Sequence, residues 1–105
     1  MTDFAKYPAA LRPSWNNNGV SEGMSPCVFL RGVHWRAWDG RLAVGFLRGA
    51  RIDILNMDSS GMSMGDTTLA GIPAQRMRAL VQGPDGAALY VAIDAGEIWR
   101  IAPIP

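Results

Sequence analysis

Arg48-Gly-Ala-Arg-Ile-Asp-Ile-Leu55 has a counterpart 46 residues further along the chain, in Asp94-Ala-Gly-Glu-Ile-Trp-Arg-Ile101. The dipeptide Asp39-Gly40 recurs at the same offset as Asp85-Gly86. A unit of strand, Asp-Gly turn, strand, Gly turn and strand that repeats at about 40–50 residues is typical of β-propeller blades. We therefore predict an all-β chain of about two four-stranded antiparallel blades. A plain β-sandwich with two similar hairpins is the alternative.

Short apolar runs between turn residues predict the individual strands. Ile52 and Ile54 alternate with Arg51 and Asp53, and this period of two indicates a strand with one buried face. The predicted strands of the first blade are Met24–Leu30, Arg41–Leu47, Ala50–Met57 and Met62–Leu69. We divide the chain into a lead-in loop (1–20), a first blade (21–72) and a second, incomplete blade (73–105).

The second predicted blade has fewer strands than the first. Residues 75–103 supply about three strands, where the first blade has four. Two blades alone leave sheet faces and strand edges uncovered, which loses apolar burial and backbone hydrogen bonds. We expect the missing contacts to come from the remaining blades of a longer chain or from copies of this one, with a homotrimer favoured.

Composition and charge exclude several classes of protein. The 105 residues are 49% hydrophobic and 18% charged, which indicates a packed domain rather than a disordered chain. The formal net charge of +1 does not provide the basic surface that nucleic acids or anionic membranes require. No apolar run approaches the ~20 residues of a membrane span. The N-terminal residues also lack the basic start and apolar stretch of a secretion signal.

Cys27 is the one cysteine of the chain, which excludes an internal disulfide and a cysteine-based metal site. It stands beside Val28, Phe29 and Leu30. A free thiol in such a run usually behaves as a small buried hydrophobe, and we expect Cys27 to be buried.

The arginines point to anion recognition. There are nine of them and one lysine, Lys6, a bias that also arises in GC-rich genomes. Arg76 and Arg78 are two apart on a predicted strand, so both should project from one face, roughly 7 Å apart, with Met77 and Ala79 facing the sheet packing. Two neighbouring guanidinium groups repel each other, and an anion between them would remove that cost and accept forked hydrogen bonds. The alternative is a solvated arginine face on an exposed strand.

Two segments resemble the C-terminal part of quinone-dependent aldose and sorbosone dehydrogenases, the sugar dehydrogenases that use pyrroloquinoline quinone (PQQ). The first is Trp38-Asp-Gly-Arg-Leu-Ala-Val-Gly-Phe-Leu-Arg-Gly-Ala-Arg-Ile-Asp-Ile-Leu55. The second is Gln75-Arg-Met-Arg-Ala-Leu-Val-Gln-Gly-Pro-Asp-Gly86, with its continuation in Leu89-Tyr-Val-Ala92 and Gly96-Glu-Ile-Trp-Arg-Ile101. The resemblance covers residues from about 13 to 103 and implies the last blades of a six-bladed propeller.

The resemblance also implies a function. The family oxidises a sugar and passes a hydride to PQQ, which is held with calcium at one end of the propeller channel. Family positions that clamp the carboxylates of PQQ match Arg76 and Arg78, and a basic residue near the quinone matches Arg48, where the family often has lysine. Trp15 resembles an aromatic wall that contacts the sugar; the alternative is an aromatic lid over the core. A member of this family would be periplasmic.

The chain lacks the rest of that catalytic site. The resemblance implies that the general base, a histidine, and the calcium ligands come from segments upstream. The single histidine, His34, does not match the catalytic position, and we assign no catalytic or metal-binding residue. Three hypotheses remain: a fragment of a quinone-dependent sugar dehydrogenase that is inactive alone, a homotrimeric two-blade protein that binds sugars or small anions, and a remnant with structural content only.

Overall fold

The structure, a computed structural model, describes residues 5–6, 8–9, 12–16 and 22–103. Seven strands and one short, kinked 3₁₀ helix at Val33–Trp38 make up the described part of the chain. The strands are β1 (Met24–Phe29), β2 (Leu42–Phe46), β3 (Ile52–Met57), β4 (Ser63–Thr68), β5 (Met77–Gln82), β6 (Leu89–Ile93) and β7 (Ile98–Ile101).

The strands form two antiparallel sheets. The first sheet has the order β1-β2-β3-β4 and the second has the order β5-β6-β7, so within each sheet the strands pair in sequence order. This arrangement confirms the predicted all-β class and is that of one four-stranded and one three-stranded propeller blade.

The hydrophobic core lies between the two sheets. One cluster joins Ala43, Ile52 and Ile54 of the first sheet to Leu89 and Val91 of the second. The sheets approach each other so closely that a Cβ on Gly45 would lie 3.0 Å from the Cβ of Met77 and 2.8 Å from the Cγ of Pro26. Glycine is therefore required at position 45 because there is no room for a side chain.

The two sheets pack face to face, and their corresponding ends lie at the same end of the structure. Met77, at the start of β5, meets Gly45 near the end of β2. Beyond the other end of β5, the backbone N–H of Arg31 donates to Gln82 Oε1 at 2.8 Å. The starts of β1, β3, β5 and β7 consequently share one end of the structure, which we call the arginine end. The 3₁₀ helix and the β5–β6 turn lie at the opposite end, where Trp35 Nε1 donates to Gly86 O at 2.9 Å.

The prediction that Cys27 is buried is wrong. In the β1–β2 ladder Cys27 pairs with Val44 and Val28 pairs with Ala43. Ala43 belongs to the core between the sheets. Because side chains alternate along a strand, Val28 faces the core while Cys27 faces away from the second sheet and is exposed. We call that side of the first sheet its outer face.

The prediction that one face of the third strand is buried is also incomplete. Ile52 and Ile54 face the core, as expected, but Asp53 and Leu55 on the outer face are only 4% and 3% exposed. The outer face is apolar itself, because Phe46 and Trp15 pack there with Leu55. Asp53 is tolerated among them because it is paired with an arginine, as described below.

Candidate functional site

Arg76 and Arg78 lie at the arginine end and share one counter-ion, Asp94. Arg78 Nε donates to Asp94 Oδ1 at 3.0 Å, and Arg76 Nη1 lies 4.0 Å from Asp94 Oδ2. The backbone N–H of Asp94 also donates to the carbonyl oxygen of Arg76 at 3.0 Å, which fixes the β6–β7 turn beside the start of β5. All three side chains are about half exposed. The structure thus brings the two predicted arginines together with a carboxylate that the sequence did not indicate.

Asp94 partly neutralises the charge of Arg76 and Arg78. The chain supplies an anion between the two guanidinium groups, so their proximity does not by itself require an external one. The hydrogen bond from Arg78 lowers the pKa of the Asp94 carboxyl below its ordinary value, and the charges of Arg78 and Arg76 lower it further. Two positive charges against one negative charge leave the cluster cationic, and the longer contact to Arg76 leaves most of that guanidinium available to a ligand.

A bulge at the start of β5 sets the directions of these side chains. The β5–β6 ladder shifts register between Met77 and Ala79. Met77 is buried in the core, whereas Ala79 pairs with Ala92 and is exposed. The prediction that Met77 and Ala79 both face the packing is therefore wrong for Ala79, because the extra residue in the bulge reverses the alternation after Arg78.

Arg48 lies at the same end of the structure, in the turn between β2 and β3. Its backbone N–H and that of Gly49 donate to Glu22 O at 2.9 Å and 3.1 Å, which holds the turn against the start of β1. The Arg48 side chain is exposed. Of the carboxylates in the described residues, none lies within ion-pair distance of its guanidinium. All three arginines predicted to bind the cofactor therefore lie at one end of the two sheets.

An ion-pair network supports this end. Arg51 Nε donates to Asp53 Oδ1 at 3.0 Å, and its Nη2 donates to Glu22 Oε1 at 3.2 Å. Thr68 Oγ1 donates to Asp53 Oδ1 at 2.9 Å, and the guanidinium of Arg51 lies 4.1 Å from the ring centroid of Phe46. The hydrogen bonds to Glu22 and Asp53 raise the pKa of Arg51. Together with the bond from Thr68, they connect the start of β1 to β3 and β4. The sequence predicted Arg51 and Asp53 only as the polar residues of an alternating strand, and it did not predict their ion pair.

Trp15 lies on the outer face of the first sheet. Its indole N–H donates to Asp66 Oδ2 at 2.8 Å, and its ring meets Phe46 edge to face at 6.3 Å. The half-buried ring packs against the cluster of Val44, Phe46 and Leu55. This position matches the alternative of an aromatic lid, and it lies on the side of the first sheet away from the second sheet, which carries Arg76 and Arg78.

The described residues do not place a histidine or a cluster of metal ligands beside the three arginines. His34 belongs to the 3₁₀ helix, at the end opposite the arginines. Within residues 5–6, 8–9, 12–16 and 22–103, no group of three or more His, Cys, Asp or Glu side chains could hold a metal ion. None of the helices in this part of the chain is long and apolar enough to cross a membrane.

Comparisons with known proteins agree on one family. Residues 3–100 match the family model described as glucose/sorbosone dehydrogenase. Two solved structures described as glucose dehydrogenase share 28% sequence identity with the chain at a TM-score of 0.71, and each match covers 79% of this chain. The match covers 26% of one and 24% of the other, so the chain spans about a quarter of their length. No curated protein matches the chain.

Proposed function

Because the chain belongs to the glucose/sorbosone dehydrogenase family, we propose that Arg48, Arg76 and Arg78 form part of a pocket that binds the carboxylates of PQQ during sugar oxidation. The observation that carries this proposal is the grouping of the three arginines at one end of the two sheets. Arg76 and Arg78 share a single carboxylate, so the cluster keeps a net positive charge that suits an anion.

The chemistry of these side chains fits a ligand with several carboxylates. A guanidinium has a planar fork of N–H donors that matches a carboxylate with two parallel hydrogen bonds. Half-exposed arginines on a strand and a turn can turn toward a bound ligand without uncovering the core. Arg51 donates its hydrogen bonds to Glu22 and Asp53, so it supports the β2–β3 turn and is not part of the proposed pocket.

The chain would contribute binding and orientation rather than the whole reaction. When bound, PQQ would supply the hydride acceptor for the sugar, and Arg48, Arg76 and Arg78 would supply charge and orientation around it. A general base must also remove the hydroxyl proton of the sugar. His34 lies at the wrong end for that role, and the described residues contain no group of three or more His, Cys, Asp or Glu side chains that could hold a metal ion. We leave Trp15 out of the proposed pocket because its ring covers the outer face of the first sheet.

The outward faces of the two sheets favour a second candidate, in which three copies form a ring that binds sugars or small anions without catalysis. On the outer face of the first sheet, Met24 and Phe29 are 48% and 46% exposed. On the outward face of the second sheet, Val81 and Ile98 are 59% and 73% exposed. Apolar faces on both sides of a two-blade unit suit head-to-tail contacts, which close into a ring when the rotation permits. The same faces would pack against further blades if the chain is part of a longer protein.

Two measurements test these proposals. The first is titration of PQQ with calcium into the full chain, followed by fluorescence quenching. We expect Arg76→Ala and Arg78→Ala to weaken binding by about tenfold each, since a hydrogen bond between charged groups commonly contributes that much. Arg31→Ala removes the same charge from an exposed position over Phe29 and should leave the affinity unchanged. If both variants bind PQQ as tightly as the wild type, the proposed pocket is ruled out.

The second measurement is the native mass. A species at three times 11.3 kDa supports the ring, and a monomer at all concentrations contradicts it.

A further inference from the structure

A second group of cationic side chains lies at the end opposite the PQQ pocket proposed above. A cleft of about 450 Å³ opens there between the 3₁₀ helix and the segment that follows β7. Its walls include His34, Arg36, Ala87, Arg100, Ala102 and Pro103. Two arginines and a histidine thus share one cleft with small apolar residues.

Unlike the cluster around Asp94, this cleft has no carboxylate among its lining residues. No carboxylate of the described residues lies within ion-pair distance of Arg36 or Arg100. Asp39, directly after the 3₁₀ helix, and Asp85, in the β5–β6 turn, are engaged with backbone groups. Asp39 Oδ1 accepts from the N–H of Gly32 at 2.9 Å, and Asp85 Oδ1 accepts from the N–H of Ala87 at 3.0 Å. The cleft therefore lacks a counter-ion from its own walls.

The backbone at Arg36 supplies a second, independent observation. Arg36 has φ 54° and ψ −120°, a conformation inside the 3₁₀ segment that a residue with a side chain rarely adopts. Glycine would adopt it without strain, and among the described residues Arg36 and Ala50 are the two with a positive φ that are not glycine. Strained residues of this kind are concentrated at ligand-binding sites, where the position of the side chain matters more than local stability. Arg36 lines the cleft in this strained conformation.

From these observations we propose that the cleft binds a phosphate group, either free or carried by a small molecule. Two guanidinium groups and an imidazole offer donors from two separate elements, the 3₁₀ helix and β7. The four oxygens of a phosphate group can accept from all of them, whereas a planar carboxylate is matched by one fork. The small side chains of Ala87, Ala102 and Pro103 leave the volume open.

Titration of inorganic phosphate into the full chain at low salt, followed by isothermal calorimetry, tests the proposal. We expect Arg36→Gln and Arg100→Gln each to weaken phosphate binding about tenfold, the effect of losing one charge-assisted hydrogen bond. Arg31→Gln removes an equal charge from the same end but outside the cleft, and it should bind phosphate like the wild type. At pH 8, where both ions are dianions, the dicarboxylate malonate should bind more weakly than phosphate.

A further variant separates the site from the stability of the chain. Arg36→Gly should raise the unfolding temperature, because glycine relieves the strain at position 36, and it should weaken phosphate binding as much as Arg36→Gln does. The proposal is overturned if the wild type does not bind phosphate or if Arg36→Gln and Arg100→Gln bind it normally. It is also overturned if Arg31→Gln loses as much affinity, or if malonate binds as tightly as phosphate. None of these results depends on PQQ, since Arg76 and Arg78 lie at the other end.

Discussion

Arg78 donates a hydrogen bond through Nε to Asp94 Oδ1 at 3.0 Å, so the start of β5 is tied to the turn that precedes β7. The same carboxylate lies 4.0 Å from Arg76. Any anionic ligand that uses these arginines must therefore share them with Asp94 or displace it. This competition makes Asp94 a determinant of affinity at the proposed PQQ pocket, although it cannot itself bind an anion.

Removing the charge at position 94 tests this competition. We expect Asp94→Asn to tighten the binding of PQQ by about fivefold, because a like charge about 4 Å from a ligand carboxylate disfavours binding even in water. The measurement is the PQQ titration described above. Asp85→Asn, at the opposite end, removes an equal charge and serves as the control. Weaker binding by Asp94→Asn would contradict the prediction and would mean that Asp94 mainly positions Arg78.

The lowered pKa of Asp94 predicts a pH dependence of stability. A carboxyl whose pKa is lower in the folded than in the unfolded chain stabilises the folded chain above its ordinary pKa, near 4. That contribution disappears as the pH falls through the lowered pKa. The unfolding temperature of the wild type should therefore exceed that of Asp94→Asn at neutral pH, and the difference should vanish in acid. A difference that persists well below the ordinary carboxyl range would show that charge is not its cause.

Arg51 should contribute more to stability than the exposed arginines. Asp53 is only 4% exposed, and it pairs with Arg51 and Thr68. Arg51→Met keeps much of the side-chain volume but leaves Asp53 buried without a cation, which should lower the free energy of unfolding by about 3 kcal/mol. Urea unfolding of the full chain measures the effect.

Arg31→Met is the matched control for Arg51→Met. Arg31 also lies over an aromatic ring, at 5.3 Å from the centroid of Phe29, but it is exposed and has no buried carboxylate to neutralise. Its substitution should change the free energy of unfolding by less than about 0.5 kcal/mol. Equal effects of the two substitutions would show that the aromatic contact, and not the ion pair, is what stabilises the fold.

The strands and their order could be predicted because the signals for them are local. Each predicted strand overlaps an observed one, since alternating apolar residues and Gly-containing turns fix where a strand begins and ends. The burial of individual side chains was harder to predict. Val28 and Cys27 have similar neighbours in sequence, and only the β1–β2 register decides which of them faces the core.

The role of Asp94 could not be predicted because it depends on a bulge. Leu80 pairs with Val91 and Gln82 pairs with Leu89, and this register, if continued, would place residue 94 opposite Met77. The shift between Met77 and Ala79 instead places Met77 opposite Ile93, and Asp94 meets Arg76. No residue type in Arg76-Met-Arg-Ala79 marks the bulge. The repeat and the resemblance predicted that the arginines lie together. The position of their counter-ion depends instead on one extra residue in the β5–β6 ladder.

Cys27 provides a test of what covers the outer face of the first sheet. Its thiol is exposed on a groove of about 270 Å³ that is also lined by Met24, Leu42 and Val44. In a monomer of this chain, Ellman's reagent should react with Cys27 at the rate of an unprotected thiol. If copies associate through this face, the reaction should slow at the protein concentrations where the native mass rises to that of a trimer.

A charged residue on the same face identifies the contact. Phe29 is 46% exposed beside Cys27, so Phe29→Asp should prevent association and keep Cys27 reactive at every concentration, because an unpaired carboxylate is costly to bury. Met62→Asp introduces the same charge in the turn before β4, where the side chain is 41% exposed, and should leave association unchanged. A trimer in which Cys27 reacts as fast as in the monomer would show that the copies meet elsewhere. The apolar outer face would then have to be covered by something other than a second copy of this chain.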